Sequence, residues 1–318
     1  MPVEKKIENP QITVAEFINH APAELTIEIL AGAGGLTKKK IASPRIQKLG
    51  LALAKFSEYV HSGRVQIVGQ SEISYLQQLA NRARIEAINN LDLQKISCIF
   101  ITNNLPPPPE LVEIADQNNL PILRTARVSS KTIQIVSDFL QKKLAPQIYV
   151  HGVLMEIYGV GVLMLGESGI GKSECALDLI THGHRLISDD QVIMKKIGES
   201  LIGCAPELTR EHLEIRGLGI VNVRDMFGVS AVGKAQAVEL VIEVKKWNDA
   251  VEAERLGLDR EEENILGAKI TKFTLPIRAG RNLSTLIETA VKIHLLRGDG
   301  FDAARDLTER HTALLNKA

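Results

Sequence analysis

The sequence predicts an α/β fold in two parts, an N-terminal α/β module over residues 1–143 and a second α/β domain over 144–318 that closes with helices. Three observations carry this. Segments with helical and strand spacing alternate through the first part. The stretch 144–152 (LAPQIYVHG) reads as a hinge, and the chain beyond it becomes glycine-rich and β-rich. Within that second part a strand pattern (GVGVLML), a glycine loop (GESGIGK) and a helix pattern (SECALDLITH) follow one another directly.

In the first part, residues 14–21 (VAEFINHA) and 46–59 carry apolar residues at helical spacing, while VQIVG (65–69) and CIFITN (98–103) read as short buried strands. The prolines at 106–109 break the chain and suit the first turn of a helix through ELVEIADQNN. LPILRT follows as a strand, then a helix opened by Ser129 or Ser130 and closed before Pro146. At the other end of the chain, Leu283, Leu286, Ile287, Ala290, Val291 and Leu295 make one apolar helical face. Gly298-Asp299-Gly300 turns, and a last helix runs from about Asp302.

Composition narrows the function classes. Of 318 residues, 45% are hydrophobic and 24% charged, the balance of a soluble globular protein. Lys+Arg and Asp+Glu each total 38, so no basic excess points to nucleic acid or a membrane surface. Cys98, Cys175 and Cys204 show neither metal spacing nor a disulfide framework, which suits a reducing compartment. The N-terminus lacks an apolar signal region, and the most apolar run, 159–165, is too short to span a bilayer. A cytoplasmic location is the expectation.

The sharpest local signal is Gly166-Glu167-Ser168-Gly169-Ile170-Gly171-Lys172-Ser173, which fits G-x-x-x-x-G-K-[ST] between a strand and a helix. Glycines let backbone N–H groups turn inward around phosphates, and the helix N-terminus adds its positive dipole end. Lys172 is expected to reach the β- and γ-phosphates of a nucleoside triphosphate and Ser173 to ligate Mg2+.

RLIS (185–188) reads as the next strand and ends in Asp189-Asp190. If it lies beside the loop strand and parallel to it, its C-terminal end opens on the phosphates. One carboxylate could then hold Mg2+ and the other accept a proton from an attacking hydroxyl. Neighbours on an extended strand point opposite ways, so one of the two is expected to be structural or to act from behind the other. An Asx-type turn at a strand end is the bland alternative.

Together, HG (151–152), GESGIGKSE (166–174), LISDD (186–190), EIRGLGIVNV (214–223), ERLGLD (254–259) and PIRAGRN (276–282) resemble the bacterial HPr kinase/phosphorylase family. Six ordered motifs over about 130 residues are far more specific than the loop alone. The resemblance implies a P-loop kinase domain with a phosphoenolpyruvate-carboxykinase-like core. It implies ATP- or pyrophosphate-dependent phosphorylation of a serine on the carrier protein HPr or a related phosphocarrier. It also implies the reverse, in which inorganic phosphate removes the phosphoryl group and pyrophosphate is released.

ATP and Mg2+ are the implied cofactors, and a homohexamer the implied assembly. Asp190 matches the family's acid–base position, and His151, Lys172 and Arg255 its other active-site positions; Ser173 and Glu214 match Mg2+ positions. Leu213, Ile215, Arg216, Gly217, Leu218, Gly219, Ile220, Val221 and Asn222 align with the segment serving both directions. Pro276, Ile277, Arg278, Ala279, Gly280 and Arg281 align with the one serving dephosphorylation.

The residues themselves agree in differing degree. A lone histidine such as His151 is more often structural. The spacing of Glu214-Ile215-Arg216 lets the charged pair face one side of a strand, whether as a site or as a surface ion pair. Arg278, Gly280 and Arg281 could form an anion site or a basic turn. Arg255 lies in a charge-rich segment that otherwise reads as a solvated face. A small-molecule kinase would call for carboxylate-binding arginines and a transition-metal cluster, which the spacing does not offer. A slow nucleotide switch would have no use for a carboxylate poised toward a hydroxyl.

Overall fold

The computed structural model describes residues 9–54, 60–247, 261–277 and 282–315. They divide into two compact units, the chain passing from one to the other between Ala145 and Pro146. No helix among the described residues is long and apolar enough to cross a membrane.

In the first unit, helix α1 (Val14–His20) opens with a capping box. The Thr13 hydroxyl accepts from the Glu16 N–H at 3.1 Å, and the Glu16 carboxylate accepts from the Thr13 N–H at 2.7 Å. Strands β1 (Glu28–Ala31), β2 (Gln47–Lys48), β3 (Arg64–Val68), β4 (Ile96–Ile101) and β5 (Ile122–Arg124) form one sheet in the order β1-β5-β4-β3-β2. The strands β2 to β5 are parallel, and β1 is antiparallel at the edge.

Every residue of β4 is buried, as a parallel strand covered on both faces demands. Ile96, Ile99 and Ile101 pack with helices α2 (Gln70–Gln78), α3 (Asn81–Asn89) and α4 (Pro109–Gln117). Cys98 and Phe100 pack with α1 and α5 (Ser129–Lys143). Burial pushes the Cys98 thiol up to about 12, so it behaves as a core hydrophobe. The helical pattern over 46–59 gives way at its start to the strand Gln47–Lys48, with a single helical turn at Gly50–Leu53; residues 55–59 lie outside the described residues.

The second unit is organised by a nine-stranded sheet. Its strands are β6 (Gln147–His151), β7 (Val153–Ile157), β8 (Val160–Gly166), β9 (Arg185–Ser188), β10 (Gln191–Ile197), β11 (Ser200–Cys204), β14 (Ala235–Lys246), β15 (Glu261–Ile265) and β16 (Ala268–Ile277). A separate hairpin pairs β12 (His212–Ile215) with β13 (Gly219–Asn222). The main order is β9-β7-β8-β14-β11-β10-β6, and β16 joins the far half of β14 with β15 outside it.

Two expectations are corrected here. The hinge-like segment folds from Gln147 onward as β6, because Ile148 and Val150 alternate inward and the strand pairs along β10. The strand β9 is parallel to β8 but does not touch it. The tight hairpin at Tyr158-Gly159, both at positive φ (52° and 83°), folds β7 back between them.

Helix α6 (Lys172–Thr181) packs Cys175, Ala176, Leu179 and Ile180 onto β7 and β8, and α7 (Leu283–Gly298) adds Ile287, Ala290 and Val291. The apolar stripe expected to reach Leu295 ends sooner, since Leu295 is 40% exposed. A last helix, α8, spans Ala303–Leu315.

The far end of α6 is tied to α7. Ser284 donates to Asp178, while the Glu288 carboxylate receives Tyr158 Oη at 3.2 Å and His184 Nε2 at 3.0 Å, with His182 Nδ1 3.4 Å away. Burial would raise the Glu288 carboxyl, yet the hydrogen bonds from His184 and Tyr158 hold it below the ordinary carboxylate range. Replacing Glu288→Gln is expected to lower Tm at pH 7 by roughly 2–4 °C, the loss of one charge-assisted contact in a chain of this size. Because the folded carboxyl is the stronger acid, the wild-type advantage is present above pH 4.5 and fades as pH falls through its folded value. Thermal unfolding of both proteins from pH 7 to 3 checks this; a gap that stays constant to pH 3 contradicts it.

Candidate active site

The loop between β8 and α6 takes the shape its glycines allow. Gly166, Gly169 and Gly171 have φ of 152°, 76° and 99°, and a Cβ on Gly166 would lie 2.6 Å from the Val244 carbonyl oxygen. Lys172 is buried and its ammonium donates to the carbonyls of Gly166 at 2.8 Å and Glu167 at 2.9 Å, folding the side chain back over its own loop. Burial lowers the Lys172 pKa, against the pull of Asp189, Asp190 and Glu174. Glu167 reaches outward to Lys246 at 3.2 Å, and Ile170 is buried in the core.

The Asp189-Asp190 pair sits past the end of β9 rather than on it. Asp190 adopts φ 63°, and this left-handed step brings both carboxylates to the same cleft, correcting the expectation that they point apart. They nevertheless divide into two roles. Asp189 is 5% exposed and accepts the Ser173 hydroxyl (3.0 and 3.2 Å) and the Glu214 N–H (3.1 Å). Burial raises its pKa, opposed by those same hydrogen bonds. The Asp190 side chain is 68% exposed, and its Oδ1 lies 3.0 Å from His151 Nδ1. Strand β6 delivers that histidine, and Gly152 lets the chain leave it: a Cβ there would come 2.6 Å from the Met164 carbonyl oxygen.

The hairpin β12–β13 forms the cleft's other wall. Leu213 and Ile215 are buried, so Glu214 and Arg216 both face the cleft, as their alternation predicts. Gly217 and Gly219 make the turn at φ 87° and 90°. Leu218 and Ile220 point to solvent, and the Asn222 side chain caps the short helix Val223–Phe227 by accepting from Asp225 N–H. None of the segment from Leu213 to Asn222 except Glu214 and Arg216 lines the cleft.

The open cleft brings together His151, Ser168, Gly169, Gly171, Lys172, Ser173, Asp189, Asp190, Glu214 and Arg216. Val153 and Glu174 line it as well. The sequence reading passed over Glu174 as a site residue, although its place directly after Ser173, in the first turn of α6, was the available signal. Pro276 and Ile277 end β16 in register with Lys245 and Lys246. Arg255, Arg278, Ala279, Gly280 and Arg281 lie outside the described residues.

Among the described residues no group of three or more His, Cys, Asp or Glu could by itself hold a metal ion. The Ser173 hydroxyl with the carboxylates of Glu214 and Asp189 still makes an all-oxygen set, which suits a hard cation that takes further ligands from phosphates.

Comparison with known proteins follows the same lines. Residues 12–140 match the family model described as the HPr Serine kinase N terminus, and residues 142–311 that of the HPr Serine kinase C-terminal domain. The chain is 42% identical over 300 residues to the HPr kinase/phosphorylase of Geobacter sulfurreducens, covering 94% of both. It is 42% identical over 288 residues to the protein of that name from Caldicellulosiruptor bescii, covering 90% of this chain and 93% of the other. A solved structure of the Hpr(Ser) kinase/phosphatase from Coxiella burnetii is 37% identical, covering 50% of this chain and 97% of that one, with a TM-score of 0.46.

Substituting Gly169→Ala tests the loop geometry. At φ 76° an alanine costs about 1–2 kcal/mol, and its Cβ would come 3.0 Å from Arg216 Nη2. We expect triphosphate affinity to fall about tenfold in a fluorescent-nucleotide titration. Unchanged affinity would show that the loop does not close on the phosphates in this conformation.

Proposed function

The chain belongs to the HPr serine kinase family, and from that premise we propose that it phosphorylates a serine of the phosphocarrier HPr, or of a related carrier, with ATP, and removes the phosphoryl group again with inorganic phosphate. The observation that carries this is the Asp190–His151 pair facing the phosphate loop across one open cleft. Its exposed carboxylate can be approached by a hydroxyl on another protein.

In the forward direction Asp190 takes the proton of the acceptor serine as its oxygen attacks the γ-phosphorus and ADP departs. In reverse, a phosphate oxygen attacks the phosphoserine phosphorus, the bond to the serine oxygen breaks, and protonated Asp190 returns the proton to that oxygen; pyrophosphate results. One site serves both directions because it stabilises the same in-line transition state from either side. His151 Nδ1 orients Asp190 and keeps its carboxylate turned toward the cleft. Lys172 exchanges its two loop carbonyls for phosphate oxygens, and Arg216 spans the loop over Gly169 where charge accumulates.

Mg2+ bound with the nucleotide, held by Ser173 and Glu214, would offset phosphate charge. Arg255 and the segment from Pro276 to Arg281 complete the proposed machinery, the latter for dephosphorylation. A homohexamer in the cytoplasm, with neither nucleic acid nor membrane as partner, belongs to the same proposal.

Incubation with γ-labelled ATP, Mg2+ and purified HPr is expected to place label on an HPr serine. Release of free phosphate alone would favour a nucleotide switch, and label on a metabolite a small-molecule kinase. Asp190→Asn is expected to lower both serine phosphorylation and phosphate-dependent pyrophosphate release by about 100-fold or more. Nucleotide affinity should survive. A parallel loss of affinity and rate would contradict the proton-transfer role.

A further inference from the structure

Among the described residues the β12–β13 hairpin shares no ladder with the nine-stranded sheet. Its inner side chains Leu213 and Ile215 seat it in the core, while Leu218 and Ile220 at its outer end are 76% and 73% exposed. It reaches the phosphate loop at two points, one by way of Asp189 and one directly. The Glu214 N–H donates to Asp189 at 3.1 Å, on the same carboxylate that receives the Ser173 hydroxyl at 3.0 Å. The Arg216 guanidinium lies over Gly169, close enough that a Cβ there would meet it at 3.0 Å.

One buried carboxylate thus joins the first turn of α6 to the backbone of the wall opposite. A carboxylate has acceptor sites for both donors at once. Were a triphosphate to bind together with Mg2+, a lone pair of Ser173 Oγ would be free for the cation while the hydroxyl hydrogen stays on Asp189. A hydroxyl polarised by the cation is the stronger donor, so it would fix more firmly the place of the carboxylate that the Glu214 N–H also meets.

We propose that Asp189 is a positioning residue that couples loading of the phosphate loop to the firmness with which the β12–β13 hairpin is held, so that Glu214 and Arg216 are fixed more tightly in their places at the cleft once the nucleotide is in. The inference rests on the triphosphate reading of the loop. It gives the enzyme an order of events: the wall that the acceptor protein meets is stiffened by the nucleotide before the acceptor arrives. Asn at 189 has one oxygen where Asp has two, and turns an NH2 toward one of the two donors, so it cannot serve both in the same way.

Amide hydrogen exchange on the full chain tests this, with and without Mg2+ and a non-hydrolysable ATP analogue, beside a fluorescent-nucleotide titration that reports when the loop is full. In the wild type, exchange at residues 213–221 is expected to slow by about tenfold on loading. In Asp189→Asn at full occupancy the slowing should fall below about twofold. A merely structural role for Asp189 would loosen the hairpin equally in both states and leave the difference intact, which overturns the proposal. So does a wild type that binds the analogue with no change in the hairpin, an outcome that leaves the triphosphate reading standing. A wild type that fails to bind sinks that reading and the coupling together. Should Asp189→Asn not fold, Ser173→Ala at saturating analogue must show the same uncoupling, and slowing at the wild-type level there refutes the proposal.

Discussion

The parallel pairing of β8 with the long strand β14 governs where everything else in the catalytic unit can lie. The two strands approach so closely that a Cβ on Gly161 would come 1.9 Å from the Ala237 carbonyl oxygen, and their register runs to Gly166 opposite Val244. The phosphate loop therefore starts at a fixed height above the sheet. On its other edge β14 carries β16 in parallel, so Lys246 and Ile277 finish level with each other near the loop. Three chain segments leave the sheet along one rim, and a crevice at the carboxyl ends of parallel strands is where such sheets bind ligands.

On that rim two consecutive aspartates do different work because their surroundings differ. Asp189 is enclosed, with donors on both oxygens, and cannot approach a substrate without giving up bonds that hold α6 to the hairpin. Asp190 is exposed, touches the imidazole of His151, and can meet a hydroxyl arriving from outside. The left-handed backbone at Asp190 keeps both at the one cleft, since an extended residue there would carry one of the carboxylates to the other face of the sheet.

Much of this was legible in the residues. The glycine loop has its strand and helix on either side, and the alternation of Leu213 to Arg216 correctly divides core from cleft. Strands 65–69 and 98–103 were readable because a strand buried on both faces is apolar throughout. What escaped depended on pairing between distant segments. Nothing local in QIYVH announces that it lies along β10, and a two-residue turn at Tyr158-Gly159 decides which strand separates β8 from β9. The positive φ of Asp190 follows from the chain's turn into β10, which one sequence read alone does not reveal. Glu174 was overlooked for a different reason: acidic residues in a first helical turn are ordinary there, and only the cleft shows which way this one faces.

Helix α6 is held at both ends, in front by Ser173 on Asp189 and behind by Asp178 on Ser284, with Glu288 gripping His184 just beyond. A rod pinned at nose and tail cannot shuttle along its own axis without breaking polar contacts at both. Adjustment at the rim is thereby left to side chains, and Lys172, whose ammonium rests on two carbonyls of its own loop, can swing while the helix keeps its place.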